Sequence, residues 1–306
     1  MERVMRRLLA LVLAAAVIPS VAGGKGPPPP ESSTVVQTGS APCGLDARAG
    51  SVWVGVYETG ELLRLDGRSG RLESKADVGR WACRVAVGPS AVWVTRDNAG
   101  EIVRVPRGPG GLVHVKIGSW TFDVLRAAGS IWATSFKLGV VARIDPASAR
   151  VTRRLEVGGN PAGLAYCAGR IWVGHGRDVT WVTSIDPRRQ RIRRVDTVVE
   201  GPRAPACIDR VVWVTTEDSV VRIDARTGRL LGVLPVGETL GEAAAGPDGL
   251  VWVTDKQHSV IRRVTPDGRY LLDTFPAGPG AFALARAGEA MWVTSFAGSD
   301  VRRFAP

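Results

Sequence analysis

Histidine is scarce in this chain of 306 residues: only His114, His175 and His258 occur. Chemistry that depends on clustered imidazoles, such as a three-histidine metal site, has little material here. The four cysteines include no Cys-x-x-Cys pair and lie beside no histidine at zinc spacing, which excludes the common zinc modules. No cysteine follows the N-terminal apolar run, which argues against a lipoprotein anchor. Beyond that run, no apolar stretch approaches the roughly 20 residues that a membrane-spanning helix needs. A sustained 3.6-residue apolar stripe is also missing, so the folded part of the chain is not helical. There is no internal Pro/Gly-rich linker, and a length that would ordinarily suggest two domains reads as one.

What is present begins with a targeting segment. Arg3, Arg6 and Arg7 precede an apolar run from Leu8 to Ile18, ended by Pro19, and Ser20-Val21-Ala22 offers a small-residue cleavage position. Residues 1–22 therefore read as a secretory signal peptide. Residues 23–33, with four consecutive prolines, read as an extended spacer, and the folded domain is expected over 34–306. The chain is expected to be exported, to a bacterial periplasm, cell surface or medium. Bacterial origin is suggested by 35 Arg against five Lys, together with abundant Ala, Gly and Val. The net charge of +11 would suit an anionic partner if it were gathered on one face.

Tryptophan supplies a period. Trp53, Trp93, Trp132, Trp172, Trp213, Trp252 and Trp292 lie 39–41 residues apart. Around each runs the same pattern: a short apolar run, a turn and a Trp-Val-Thr-like strand come first. A polar loop follows, then an alternating strand such as Val220-Val221-Arg222-Ile223-Asp224, a turn such as Ala225 to Arg229, and a last strand ending in Val-Gly. β-Branched and aromatic runs with period-two alternation, separated by Gly-containing turns, indicate four antiparallel strands per unit. Val301 to Phe304 is a third strand with no fourth after it, and Ser33 to Gly39 reads as a fourth strand with nothing before it. The two ends together complete one unit, which closes a ring and removes free edges. The expected fold is an all-β, seven-bladed propeller of four-stranded antiparallel blades, closed by the N-terminal strand.

The Trp-Val-Thr strands, the Val-Arg-Ile-Asp strands and Val157 to Ala165 (Val-Gly-Gly-Asn-Pro-Ala-Gly-Leu-Ala) resemble those of the YVTN/NHL-type β-propeller repeat proteins. That superfamily includes streptogramin B (virginiamycin B) lyases and exported propellers without known enzyme activity. The resemblance spans residues 34–306 and rests on structural residues, so it speaks for fold more than for function. In the lyases, a loop entering a blade commonly carries Pro-His-Gly. The corresponding positions here read Pro42-Cys43-Gly44 and Pro161-Ala162-Gly163, without histidine.

Placed on the repeat, the cysteines pair themselves. Cys43 and Cys83 each precede a repeat Trp by ten residues, and Cys167 and Cys207 precede theirs by five and six. Matching sites in adjacent blades are neighbours, which predicts the disulfides Cys43–Cys83 and Cys167–Cys207. The repeat tryptophans are expected between blades. The third-strand arginines Arg64, Arg104, Arg143, Arg222, Arg262 and Arg302 spread positive charge around the rim, which reads as a solvated edge. Arg188, Arg189, Arg191, Arg193 and Arg194 form a local basic cluster, either a surface hairpin or a contact for an anionic polymer.

Function is expected where the inter-blade loops and the loops between second and third strands surround the channel mouth. The residues there that break the repeat are the expected ligand contacts: Trp81, Trp120, Phe122, Asp123, Phe136, Lys137, Arg177, Asp255, Phe282 and Phe296. Aromatics with mixed charges suit an organic ligand or a peptide. The leading expectation is a non-enzymatic binder of a small molecule, envelope polymer or protein, with nucleic acid a poor fit and no cofactor. The alternative is a lyase-like or lactonase-like enzyme. It would use His175, His258 and Glu217 as weak candidates for acid–base work, and a divalent metal would be required only in that case.

Overall fold

The computed structural model describes residues 27–176 and 178–305. The expected signal segment and Arg177 lie outside the described residues. Among those described, every regular element is a strand. The strands form seven four-stranded antiparallel sheets.

Each sheet is one blade, and the inner strand of each packs against the inner strands of its neighbours around a ring. In blade order the inner strands are Pro42–Arg48, Ala82–Val87, Thr121–Ala127, Pro161–Cys167, Ala204–Ile208, Leu240–Ala245 and Ala281–Ala287. Blade 7 is completed by Ser32–Gln37, which pairs antiparallel with Asp300–Phe304. The fold is the seven-bladed propeller expected from the repeat, with the closure at the expected strands.

The core is divided into seven apolar clusters. Each repeat tryptophan belongs to a cluster shared with the next blade: Trp93 packs with Val124 and Ile131, Trp172 with Val212 and Val214, and Trp292 with Leu45 and Val54. A large, flat side chain every 40 residues thus fills the wedge between twisted sheets. The arginine opposite it in register has a role beyond the solvated edge expected from sequence. Arg64, Arg143 and Arg222 lie over the rings of Trp53, Trp132 and Trp213 at 5.5, 5.6 and 5.7 Å. In blades 6 and 7 the residues opposite Trp252 and Trp292 are Arg263 and Arg303, not Arg262 and Arg302. The Asp-x-x-Ser/Thr turns form as their chemistry requires. Asp66 Oδ1 accepts from Ser69 N–H at 2.7 Å and Asp224 Oδ1 from Thr227 N–H at 2.7 Å.

The threonine of Trp-x-Thr joins one blade to the next. Thr134 Oγ1 accepts from Asp123 N–H at 2.9 Å and donates to Ala162 O of blade 4 at 2.9 Å. Thr254 does the same between Glu242 N–H and Phe282 O, and Thr294 between Ala283 N–H and Cys43 O. Thr215 donates to Gly241 O of blade 6. Two blades have glycine there instead. A Cβ on Gly55 would lie 2.3 Å from Cys83 O, and one on Gly174 would lie 2.0 Å from Arg203 O. Those two interfaces, 1–2 and 4–5, carry the disulfides Cys43–Cys83 and Cys167–Cys207. The pairing is the one expected, and it falls where the backbones approach too closely for a side-chain relay.

Thr254→Val should lower the unfolding free energy by about 1–3 kcal/mol, because it leaves Glu242 N–H and Phe282 O without their partner. Removing the 4–5 disulfide by C167A/C207A should cost about 2–4 kcal/mol. Denaturant titration of both variants measures the two losses on one scale.

Candidate functional site

Six of the seven inner strands carry a β-bulge at the same register, near the end where the chain enters from the previous blade. The fifth does not. A bulge re-aims side chains, and here it sets one ring of seven positions around the axis: Gly44, Arg84, Asp123, Gly163, Ala204, Glu242 and Ala283. Four are glycine or alanine. The other three are charged, and all three line an axial cavity of about 430 Å³.

Arg84 of blade 2 is buried and forms an ion pair with Glu242 of blade 6 across the axis. Glu242 Oε2 also accepts from Leu284 N–H of blade 7 at 2.9 Å. Asp123 accepts from Leu164 N–H of blade 4 at 2.7 Å, and Asp46, two residues further along its strand, from Val87 N–H of blade 2 at 2.7 Å. Carboxylates on inner strands thus repeatedly clasp the main chain of the following blade. Burial lowers the Arg84 pKa, opposed by the charges of Asp123 and Asp97, and burial raises that of Asp123, opposed by Arg84. Asp97, in the loop after the second strand of blade 2, is pushed up to about 7. Burial drives this, against the Thr95 hydrogen bond and the Arg84 charge, with the Asp123 charge adding to it. One guanidinium therefore faces three carboxyl groups.

Aromatic rings extend from this point across the mouth. Tyr57 meets Phe296 with ring centroids 6.1 Å apart, and Phe296 meets Phe282 at 5.7 Å. The Arg84 guanidinium lies 4.6 Å from the Phe282 ring and 6.0 Å from the Phe122 ring. Phe122 then stacks on Phe136 at 5.9 Å, and Phe136 meets Trp120 at 5.1 Å. The line of contacts runs from blades 1 and 7 to blade 3 without a break. Lys137 and Lys256 sit over Trp120 and Phe282 at 5.5 and 5.1 Å.

The loops that present these rings are tied by main-chain hydrogen bonds. Tyr57 N–H donates to Ala41 O, Trp81 N–H to Tyr57 O, Asp97 N–H to Trp81 O, Thr121 N–H to Asp97 O, and Phe136 N–H to Trp120 O. Trp81 and Trp120 have φ of 71° and 54°, a left-handed conformation that is uncommon for bulky residues and costs about 1–3 kcal/mol. The residues at the same loop position in blades 1, 4 and 7, Ala41, Asn160 and Gly280, also have positive φ, so the conformation belongs to the repeat and the two tryptophans are its bulky occupants.

Of the ten residues expected as ligand contacts, the structure gathers Trp120, Phe122, Asp123, Phe136, Lys137, Phe282 and Phe296 into this line or its flanks. Trp81 occupies the same loop position in blade 2 as Trp120 in blade 3. Asp255 is fully buried and committed elsewhere. Its burial is outweighed by hydrogen bonds from His258 and Arg262, which lower its pKa. Arg84 is the member that the sequence expectation omitted. Its signal was its repeat position, nine residues before Trp93 as Asp123 is before Trp132, where four of the other blades carry glycine or alanine.

The acid–base candidates lie apart. His175 is fully buried, with Nδ1 3.1 Å from Gly159 O and Nε2 2.8 Å from Thr183 Oγ1. Burial lowers its pKa to about 4. His258 is exposed and bonds Asp255 at 3.0 Å. Glu217 reaches Arg203 at 3.4 Å beside a separate hollow of about 190 Å³. No group of three or more His, Cys, Asp or Glu is placed to hold a metal ion among the described residues.

No family model matches the chain, and no curated protein matches it. Solved structures do. A streptogramin B lyase superposes with a TM-score of 0.77 at 15% identity, over 89% of this chain and 97% of that one. The match is one of fold. A catalytically inactive virginiamycin B lyase from Staphylococcus aureus, crystallised with quinupristin, gives a TM-score of 0.77 at 15% identity, over 89% and 99%. Hydrazine synthase of Kuenenia stuttgartiensis gives 0.75 at 11% identity, over 90% and 98%.

The two perturbed groups make opposite contributions to stability. Asp97, with its pKa raised, favours the folded state most below pH 4, and that contribution fades as pH rises through about 7. His175, with its pKa lowered, contributes above about 6.5 and loses that contribution as pH falls through about 4. Asp97→Asn should flatten the fall in unfolding free energy between pH 4 and 7. Denaturant titrations across that range, with wild type alongside, check it.

Proposed function

We propose that this is an exported propeller that binds an organic ligand or peptide at the channel mouth and does not transform it. The observation that carries the reading is the unbroken line of rings from Tyr57 to Trp120 passing through Arg84. Rings held on tied loops offer contact area at low entropic cost. The excess of carboxyl groups around Arg84 suits a ligand with a planar apolar part and a basic group. Export accords with the two disulfides, which persist in oxidising compartments.

A second reading, elimination in the manner of the structurally similar lyases, draws on Asp97. A carboxyl group with a pKa of about 7 beside a guanidinium has the properties of a general base with a charge stabiliser. No step is assigned to a metal, since the carboxylates of the mouth are committed to main-chain and arginine partners.

Short peptides carrying an aromatic and a basic residue should bind the mature chain, as measured by calorimetry. Trp120→Asn, which tolerates the positive φ while removing the ring, should weaken binding by about tenfold or more with little change in melting temperature. Unchanged affinity in that variant would place the ligand elsewhere. Release of an elimination product from quinupristin would make the second reading the correct one.

A further inference from the structure

Between blades 4 and 5, away from the channel mouth, lies a hollow of about 90 Å³ lined by Arg170, Trp172, Ser184, Arg193, Arg226 and Gly228. Three arginines converge there. The indole N–H of Trp172 is buried and has no hydrogen-bond acceptor.

The other blades show what such a group ordinarily finds. Trp132 Nε1–H donates to Ala127 O and Trp292 Nε1–H to Gly67 O. In blade 6 an anion does the work: Asp248 accepts from Trp252 Nε1–H at 2.9 Å with one oxygen and from Arg263 at 2.9 Å with the other. Asp248 stands four residues before its tryptophan. The residue four before Trp172 is Ala168, and the residue opposite Trp172 is Ser184. Blade 4 therefore keeps the donors, with Arg170 anchored on Ser184, and lacks the acceptor. Blade 1 offers the contrast. The Trp53 N–H is also without an acceptor, but its arginine, Arg64, is already paired with Glu73 at 2.8 Å.

The aspartates of the adjoining hairpins act through charge on two of these arginines, Asp186 on Arg170 and Asp224 on Arg226, but neither bonds the indole N–H. Asp186 accepts from the N–H groups of Arg188 and Arg189, and Asp224 from those of Arg226 and Thr227. Arg193 is held toward blade 5 by a bond to Thr227 O at 3.0 Å. We propose that this hollow is a binding site for a phosphate-type oxyanion, held by Trp172 Nε1–H and the guanidinium groups of Arg170, Arg193 and Arg226. Three guanidinium groups match a doubly charged tetrahedral anion better than a single carboxylate.

The test follows the Trp172 indole N–H by NMR during titration of the mature protein with inorganic phosphate, at constant ionic strength set by chloride. A phosphate monoester serves as second probe. The expected result is a saturable shift of that resonance. R193Q/R226Q should weaken it by about tenfold or more, as loss of charge-assisted bonds implies, while R188Q/R189Q should leave the titration essentially unchanged. A response to both probes identifies the free anion as sufficient; a response to the monoester alone identifies a phosphorylated molecule as the ligand. No saturable shift with either probe, or one that R193Q/R226Q leaves intact, overturns the proposal.

Discussion

A hydroxyl group that accepts from its own blade and donates to the next is the contact on which the rest of this molecule depends. It closes the gap that a bulge opens in the inner strand, and it fixes the angle at which the next sheet arrives. Thr134, Thr254 and Thr294 make both bonds. Where the sheets come closer, at Gly55 and Gly174, no side chain fits and a covalent bond joins the blades. Hydroxyl relay and disulfide are two solutions to one geometric problem, distributed by how near the neighbouring backbone lies.

The candidate site inherits its geometry from this joint. The residue whose N–H meets the threonine is the bulge residue that faces the axis, so fixing the joint also fixes Arg84, Asp123 and Glu242. Blade 2 shows the coupling most directly. Thr95 accepts from Arg84 N–H but donates to Asp97 rather than to blade 3. One interface gives up its ordinary relay, and the hydroxyl instead holds a carboxyl group at the mouth beside the only cation of the ring. Local departures from a repeat are where natural folds commonly place function.

Much of the architecture was legible because it is periodic. The tryptophan spacing, the complementary ends and the cysteine positions all follow from one 40-residue unit, and periodic features survive uncertainty at any single position. The site was legible only in outline, because a ligand surface is aperiodic. Phe122, Phe282, Phe136 and Trp120 stood out as departures from the pattern. Arg84 did not, since it lies inside a strand and its reach to Glu242 depends on a bulge and on curvature that place blades 2 and 6 across one axis. His175 has the composition of a catalytic residue, but its surroundings make it a buried hydrogen-bonding link between Gly159 and Thr183. The third-strand arginines posed a similar problem. Their regular spacing was visible, whereas their stacking over tryptophan becomes apparent only when the register is known.

The seam at blade 7 imposes a schedule on folding. Six blades are each built from one uninterrupted run of chain, so their strands pair with near neighbours and can form early. The seventh needs Ser32–Gln37 to meet Asp300–Phe304, and Thr38 N–H to reach Ser299 O, across nearly the whole length of the protein. The ring therefore cannot be sealed until its last strand is released. Until that pairing forms, the blades can make only an open arc with two unpaired edges. The pairing that completes the ring is therefore also the one that hides its last free edges.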